Sequence, residues 1–247
     1  MPLARGTRRD RETDRVVAAA SHCQSERVVA LRVAHQVRLT QAEGPGSRYA
    51  VWVSGCSLRC PGCCNPQLFE PRAGVSWAVA DLVRAVERQA GRSDLDGITI
   101  LGGEPLEQLS GTAELCDGVA ALGLGVIVFT GLTLAQARLK PGFGRLWSAI
   151  DTLVDGPFLA TRAYAEPTSS HHPPLSRYLG SDNQRLYHRT PRYADPRLWR
   201  GAQGAELQIS PTGELSAHGH PRAVQKLLRT LRSPPQTGRD RRREPAT

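Results

Sequence analysis

The sequence predicts an α/β fold built on a parallel sheet, and three observations lead there. Apolar runs of strand length alternate with segments whose apolar residues return at helical spacing, the pattern of strand–helix–strand units joined by right-handed crossovers. A chain of 247 residues that is 40% hydrophobic can bury a full core, so one domain is expected. The residue clusters that carry chemistry stand directly after apolar runs. Loops at the carboxyl ends of parallel strands would gather them on one face.

Residues 27–37 alternate weakly and are rich in Val and Leu, as a first strand requires. Ala42 to Arg48 is a turn, and Tyr49 to Gly55 is a strand that runs straight into a cysteine-rich loop. Ser76 can cap a helix on which Val79, Leu82, Val83 and Val86 follow helical spacing. Asp96-Gly97 opens the next strand, which ends in Gly102-Gly103-Glu104-Pro105. Pro105 suits the first position of a helix, since its missing N–H would have no partner there. That helix runs to about Leu122, and Gly123 and Gly125 punctuate its end. Leu124 to Gly131 is a further strand, a helical segment broken at Pro141-Gly142 follows, and Ala149 to Phe158 closes a fourth unit. These units are too few for a closed eight-stranded barrel. Residues 159–200 show little periodicity and read as an irregular flap over the open side. Ala205 to Ser210 and Gly213 to Gly219 flank a Pro-Thr-Gly turn as a hairpin, and Ala223 to Leu231 suits a terminal helix.

The net charge of +9 invites a nucleic-acid reading, but its location argues against one. Residues 1–27 hold six Arg against four acids and residues 229–247 six Arg against two, leaving a net of +3 between them. Both ends read as disordered: a 1–27 extension and a basic 229–247 tail outside a domain at 28–228. One basic stretch lies inside that domain, Arg177 to Arg200, with six Arg against two Asp. No apolar run reaches membrane-spanning length, and the arginines near the amino terminus have no signal-like apolar segment behind them. Six cysteines, four of them between 56 and 64, suit a metal in a reducing compartment better than a disulfide framework. A cytoplasmic protein is expected.

Cys56, Cys60 and Cys63 can place three thiolates around one compact centre. That is one ligand short of closing a tetrahedral zinc site or a four-iron cluster, and a cluster held by three cysteines keeps one iron open to a small molecule. A structural zinc completed by Cys64 or a distant His is the competing reading. Gly55, Pro61 and Gly62 suit a tight loop whose backbone N–H groups point at cluster sulfurs. The double glycine lets backbone approach a ligand, and Glu104 can accept hydrogen bonds from an ammonium group.

The cysteine triplet followed about 40 residues later by Gly-Gly-Glu-Pro resembles the radical S-adenosylmethionine superfamily. Cys60-Pro61-Gly62-Cys63 with Asn65 close behind is similar to its small activase branch, typified by the anaerobic ribonucleotide reductase activase. Val154 to Phe158 (VDGPF) and Gly180 to Arg185 (GSDNQR) extend the likeness, which covers about residues 28–228. The resemblance implies a partial, open (β/α) barrel of radical S-adenosylmethionine type, with the carboxyl-terminal hairpin and helix added. It implies a 4Fe–4S cluster on Cys56, Cys60 and Cys63, with S-adenosylmethionine chelated to the open iron and its methionine amine held by Gly102, Gly103 and Glu104. Reductive cleavage to a 5′-deoxyadenosyl radical would follow. Gly62 and Cys64 would lie beside the cofactor; Cys64 stands where the activases carry an aromatic residue and is read as a small packing group whose thiol points away from Cys63. Asp155 and Asn183-Gln184-Arg185 are implied cleft positions.

The leading functional reading is therefore an oxidoreductase that activates a large glycyl-radical enzyme by hydrogen abstraction, fed by a flavodoxin- or ferredoxin-like donor. The basic stretch at 177–200 is a candidate dock for such an acidic partner. A radical enzyme acting on a small molecule or peptide would use the same cysteines, and a zinc-stabilised binding module is the reading from another class. Cys116 reads as a buried filler, His171-His172 as an exposed loop pair, and His218 and His220 as hairpin residues.

Overall fold

The computed structural model describes residues 28–164, 177–202, 204–209, 213 and 215–232. In chain order the elements are β1 (Ala30–Thr40), β2 (Arg48–Val53), β3 (Val75–Ala78), α1 (Val79–Ala90), β4 (Gly97–Gly102), α2 (Leu109–Ala121) and β5 (Gly125–Phe129). Then come α3 (Leu134–Arg138), α4 (Phe143–Ala149), β6 (Thr152–Asp155), β7 (Arg185–His188), β8 (Ala205–Ile209), β9 (Leu215–Gly219) and α5 (Pro221–Arg232). The first seven strands form one open sheet in the order β3-β1-β2-β4-β5-β6-β7. β2, β4, β5 and β6 run parallel, while β1, β3 and β7 pair antiparallel with their neighbours.

The sheet is thus mixed, not wholly parallel. The cause at β1 is chain length: the turn between Thr40 and Arg48 is too short for a crossover, so β2 must fold back on β1. Ser76 is no helix cap. It lies within β3, and α1 starts after Ala78 without a side-chain cap; the Val79 N–H donates instead to Val29 O at 2.9 Å. Pro105 opens a short 3-10 turn, Pro105–Gln108, that leads into α2. The break at Pro141-Gly142 separates α3 from α4, with Gly142 at φ +90° in the position before α4. The hairpin is β8 with β9, and α5 continues through 228, so the domain boundary expected there falls inside a helix.

Both faces of the parallel strands are buried, which is why β2 has no exposed residue. On one face Val51, Val53, Ile98, Ile100, Val126, Val128 and Leu153 pack against Leu82 and Val86 of α1, Leu115 and Val119 of α2 and Leu146 of α4. Cys116 belongs to this core, fully buried as a small apolar filler. The other face is covered by loops. Ala50 and Trp52 meet Val37 and Leu68 there, and Ile127 and Val154 meet Leu179, Tyr193 and Trp199.

Residues 177–200 are therefore not simply a flap. They supply β7 and three core side chains. Apolar residues at 179, 193 and 199 follow no regular period, because short turns rather than a strand or helix bring them inward. Tyr193 also closes the amino-terminal edge of the sheet over Arg48, which is fully buried. The Arg48 guanidinium donates to Thr99 Oγ1 (3.1 Å), Gly125 O (3.2 Å), Ile98 O and Tyr193 Oη, and lies 5.0 Å over the Tyr193 ring.

Candidate functional site

The carboxyl ends of β2, β4, β5 and β6 carry the motifs singled out in the sequence, and the structure bonds them to one another. After β2, the loop 55–63 bears all three cysteines, each half-buried. Its path turns at three left-handed residues, Gly55 (φ +93°), Arg59 (φ +43°) and Gly62 (φ +76°). Such a φ is costly for an arginine; pairing with Glu70 and lying 5.5 Å over the Phe69 ring hold Arg59 there. Gly55 N donates to Leu68 O (2.8 Å), Cys56 N to Phe69 O (3.0 Å) and Cys63 N to Cys60 O (3.1 Å). Glu107, in the turn ahead of α2, accepts from Ser57 N (2.7 Å) and Ser57 Oγ (2.5 Å).

The three thiols share this loop without converging: among the described residues no three His, Cys, Asp or Glu side chains form a metal-sized group. Burial pushes the Cys56 thiol up. Cys64 does not point away from Cys63. Interaction between the two neighbouring thiols lowers the Cys63 thiol to about 6 and raises that of Cys64. The backbone turns there so that Asn65 N donates to Cys63 Sγ at 3.4 Å.

After β4, the double glycine spends its space on the protein itself. Gly103 N donates to Val53 O and Glu104 N to Gly55 O, both at 2.8 Å. A Cβ on Gly103 would run into the Gly55 carbonyl, 3.0 Å from its carbon, and one on Gly102 would lie 2.8 Å from Trp52 Cα. Glu104 is buried, and its carboxylate spans two loops. Oε1 accepts from Leu106 N (2.9 Å) and Thr130 Oγ1 (2.7 Å), and Oε2 accepts from Gly131 N (2.8 Å). Burial pushes this carboxyl up, and those three donors oppose the shift. Gly131 in turn faces the Leu58 side-chain tip of the cysteine loop, which a Cβ at 131 would displace.

After β6, Asp155 is buried and accepts from Leu134 N at 2.6 Å, fixing the start of α3. The segment 180–184 clasps the turn that follows. Asn183 Nδ2 donates to Pro157 O (2.8 Å), Gln184 Nε2 to Gly156 O (3.3 Å), and Gln184 Oε1 accepts from Gly180 N (2.7 Å). The two motifs whose partners the sequence did not reveal are each other's partners. Phe158 and Ala160 then lie beside Gly62, 3.6 and 3.2 Å from where its Cβ would be, so the β6 loop touches the cysteine loop. Arg185 stands at the edge of this group, exposed and opposite Asp155 in the β6–β7 ladder.

Sequence reasoning missed Leu58, Glu107, Thr130 and Gly131. Their only signal was position: each falls in a loop or turn following a parallel strand. His218 lies buried in β9, its ring 6.4 Å from that of Trp52 and Nε2 3.4 Å from Glu206 Oε2. Glu43, from the turn before β2, reaches the same corner, beside Gly219 and Glu206, where burial pushes its carboxyl up to about 8. His171 and His172 lie outside the described residues.

Apart from Arg185, three arginines of the basic stretch occupy the opposite edge or pair locally. Arg189 Nε donates to Ile150 O (2.6 Å), an Arg192 terminal nitrogen to Gly123 O (3.0 Å), and Arg197 is paired with Asp195 (2.6 Å). Among the described residues no helix is long and apolar enough to cross a membrane.

Residues 42–187 match the family model of the 4Fe-4S single cluster domain. The anaerobic ribonucleoside-triphosphate reductase-activating protein of Enterobacteria phage T4 is 25% identical over 151 residues, 60% of this chain and 87% of that protein. A 7-carboxy-7-deazaguanine synthase from Hyperthermus butylicus is 37% identical over 112 residues, but the match spans 44% of this chain and 46% of the synthase. The pyruvate formate-lyase-activating enzyme of Listeria monocytogenes is 32% identical over 84 residues, 33% of this chain and 34% of the enzyme. The family match spans more than half of the chain and encloses every loop of the site just described. The chain therefore belongs to the 4Fe–4S single cluster domain family, in the activase branch of the radical S-adenosylmethionine proteins.

Proposed function

We propose that this protein holds a 4Fe–4S cluster on Cys56, Cys60 and Cys63, cleaves S-adenosylmethionine reductively, and activates a large glycyl-radical enzyme by taking hydrogen from one glycine. The observation that carries the reading is the join between two loops. Gly103 N and Glu104 N donate to Val53 O and Gly55 O, so the cysteines and the Gly-Gly-Glu edge form one unit at the ends of adjacent parallel strands. Three half-buried thiols on one loop suit a cluster with an open iron better than a zinc, which asks for four protein ligands in a structural site. When bound, the cluster and S-adenosylmethionine supply a one-electron reduction of the sulfonium and the 5′-deoxyadenosyl radical that follows.

The chain's own part is positioning. Glu104 has used three of about four acceptor directions on protein donors, leaving one on Oε2 for the amine of S-adenosylmethionine. Gly102 and Gly103 let this edge lie against the cysteine loop, and Gly62 and Cys64 flank the cofactor. Phe158 and Leu58 help exclude water from the same space. The parallel strands with their helices then form an open (β/α) barrel, and a flavodoxin- or ferredoxin-like carrier delivers the electron. The phage T4 and Listeria proteins, named as activators of two different enzymes, support the partner class.

A second reading has one observation in its favour: the Hyperthermus relative is by name a synthase, so a small-molecule substrate is the alternative. The test is anaerobic reconstitution followed by metal and product analysis. About four irons per chain and 5′-deoxyadenosine on reduction are expected; stoichiometric zinc without iron would overturn the reading. A glycyl-radical spectrum on mixing with a glycyl-radical enzyme separates activation from small-molecule chemistry.

A further inference from the structure

We propose that a cleft between β1, β3 and α1 binds a nucleoside phosphate. The cleft holds about 310 Å³ and is lined by Arg38 of β1, Trp77 of β3, Arg88 of α1, Arg92 just beyond it, Gln36 and Tyr49. It lies on the helix-covered side of the sheet, where Tyr49 joins the core beneath α1, and does not depend on the reaction proposed above.

Three arginines line the cleft, and no acid does. Among the described residues no carboxylate pairs with Arg38, Arg88 or Arg92, so their charges stand together without a counter-ion in the cleft. Helix polarity accounts for cations at the end of α1, which explains Arg88 and Arg92. It explains neither Arg38, which comes from a strand across the cleft, nor Trp77, left 39% exposed beside them. Clustered arginines without counter-ions suit phosphate, because the guanidinium fork matches phosphate oxygens two at a time. An exposed indole supplies a face for a flat base. The volume suits a mononucleotide-sized ligand. Tyr49 Oη, donating to Gln36 Oε1 at 2.7 Å, sets the floor between base and phosphate groups.

The test is calorimetric titration of the full chain with ATP, tripolyphosphate and adenosine as probes. ATP should bind, tripolyphosphate about tenfold more weakly, and adenosine undetectably. Trp77→Leu should weaken ATP about tenfold, as loss of one stacked base does. Replacing Arg38, Arg88 and Arg92 together with Gln should abolish binding while leaving the circular dichroism unchanged. Should that triple variant misfold, Arg38→Gln alone should still weaken ATP and flatten its salt dependence. Absence of ATP binding at millimolar concentration, or ATP binding indifferent to the arginine changes, would overturn the site. Equal affinity for ATP and tripolyphosphate, unmoved by Trp77→Leu, would overturn the nucleoside assignment.

Discussion

Gly103→Ala asks which neighbour the double glycine makes room for. A ligand-facing glycine leaves its Cβ direction open to the cofactor, and substitution would damage binding while sparing the fold. In the structure the added Cβ instead meets the Gly55 carbonyl, 3.0 Å from its carbon and 3.2 Å from the Gly55 nitrogen. Backbone cannot swing aside as a side-chain tip can, so the β4 loop must lift from the cysteine loop. Overpacking of this kind costs about 1–3 kcal/mol, and loss of either 2.8 Å bond, to Val53 O or Gly55 O, adds about 1 kcal/mol. A total near 3 kcal/mol corresponds to about 6–12 °C in Tm for a domain of this size. The assay is thermal unfolding of the iron-free chain followed by circular dichroism, with S-adenosylmethionine cleavage measured separately. Gly144→Ala is the control: a Cβ there meets nothing within 4 Å and the residue lies in α4, so a small gain is expected. An unchanged Tm with cleavage lost would refute the argument and return Gly103 to the ligand.

Cys56→Ala, Cys60→Ala and Cys63→Ala should each lose most of the iron that the reconstituted chain retains, and Cys64→Ala should keep it; equal need for Cys64 would replace the open-iron site with a closed one. Glu43 gives a pH effect of definite sign. Burial raises its carboxyl to about 8, Gly219 N–H opposes this and the Glu206 carboxylate adds to it, so the folded chain holds a proton that the unfolded chain releases near 4.5. Stability should therefore fall as pH rises toward 8, whereas burial of His218 and His220, which lowers both, acts with the opposite sign below about 6.5. Urea midpoints of the iron-free chain at pH 6.5 and 8.5 should differ, and Glu43→Gln should flatten the difference; an identical slope in both chains would exclude Glu43 as the source. Arg48→Lys should cost about 3 kcal/mol in denaturant unfolding, because an ammonium cannot reproduce the fork that reaches Thr99, Ile98, Gly125 and Tyr193 together. Arg185→Glu, at the site edge, should slow reduction by an acidic carrier protein at low salt and leave reduction by a small chemical reductant unchanged.

What the sequence made legible is what local chemistry decides. Strand after strand could be read from apolar runs, the break at Pro141-Gly142 from two residues, and the hairpin from its Pro-Thr-Gly turn. The Gly-Gly-Glu edge was legible as a place and not as a contact. Nothing local to Gly103 says that Gly55, 48 positions earlier, fills the space beside it, because that contact exists only once β2 and β4 pair. Likewise Asn183 and Gln184 carry ordinary turn chemistry in sequence, and only the antiparallel return of β7 along β6 brings them to Gly156 and Pro157. Ser76 failed as a cap for the converse reason. Its local signal was sound, but pairing of Arg32 with Ser76 across β1 and β3 won over the helix.

The basic stretch shows how far composition can mislead about an interface. Six arginines between 177 and 200 suggested a continuous docking face. The fold divides them among separate tasks. Arg189 and Arg192 donate to carbonyls at the start of β6 and just before β5, the amino-terminal edge of the sheet, a strand length of roughly 15 Å from the cysteine loop. Arg197 is committed to Asp195, and Arg177 lies over the Tyr178 ring. Reversing the charge of Arg189 or Arg192 would remove bonds that tie β7 and Tyr193 to the sheet, so slower reduction in such a variant would report damage, not docking. Arg185 differs in kind: it is exposed, and its strand register places it opposite Asp155 at the carboxyl end of β6. An electron carrier must approach the cysteine loop, and Phe158 and Ala160 already bring the β6 loop against Gly62 there. An acidic carrier seated over this edge would meet Arg185, which the strand register places there, so the search for the docking face begins at that residue.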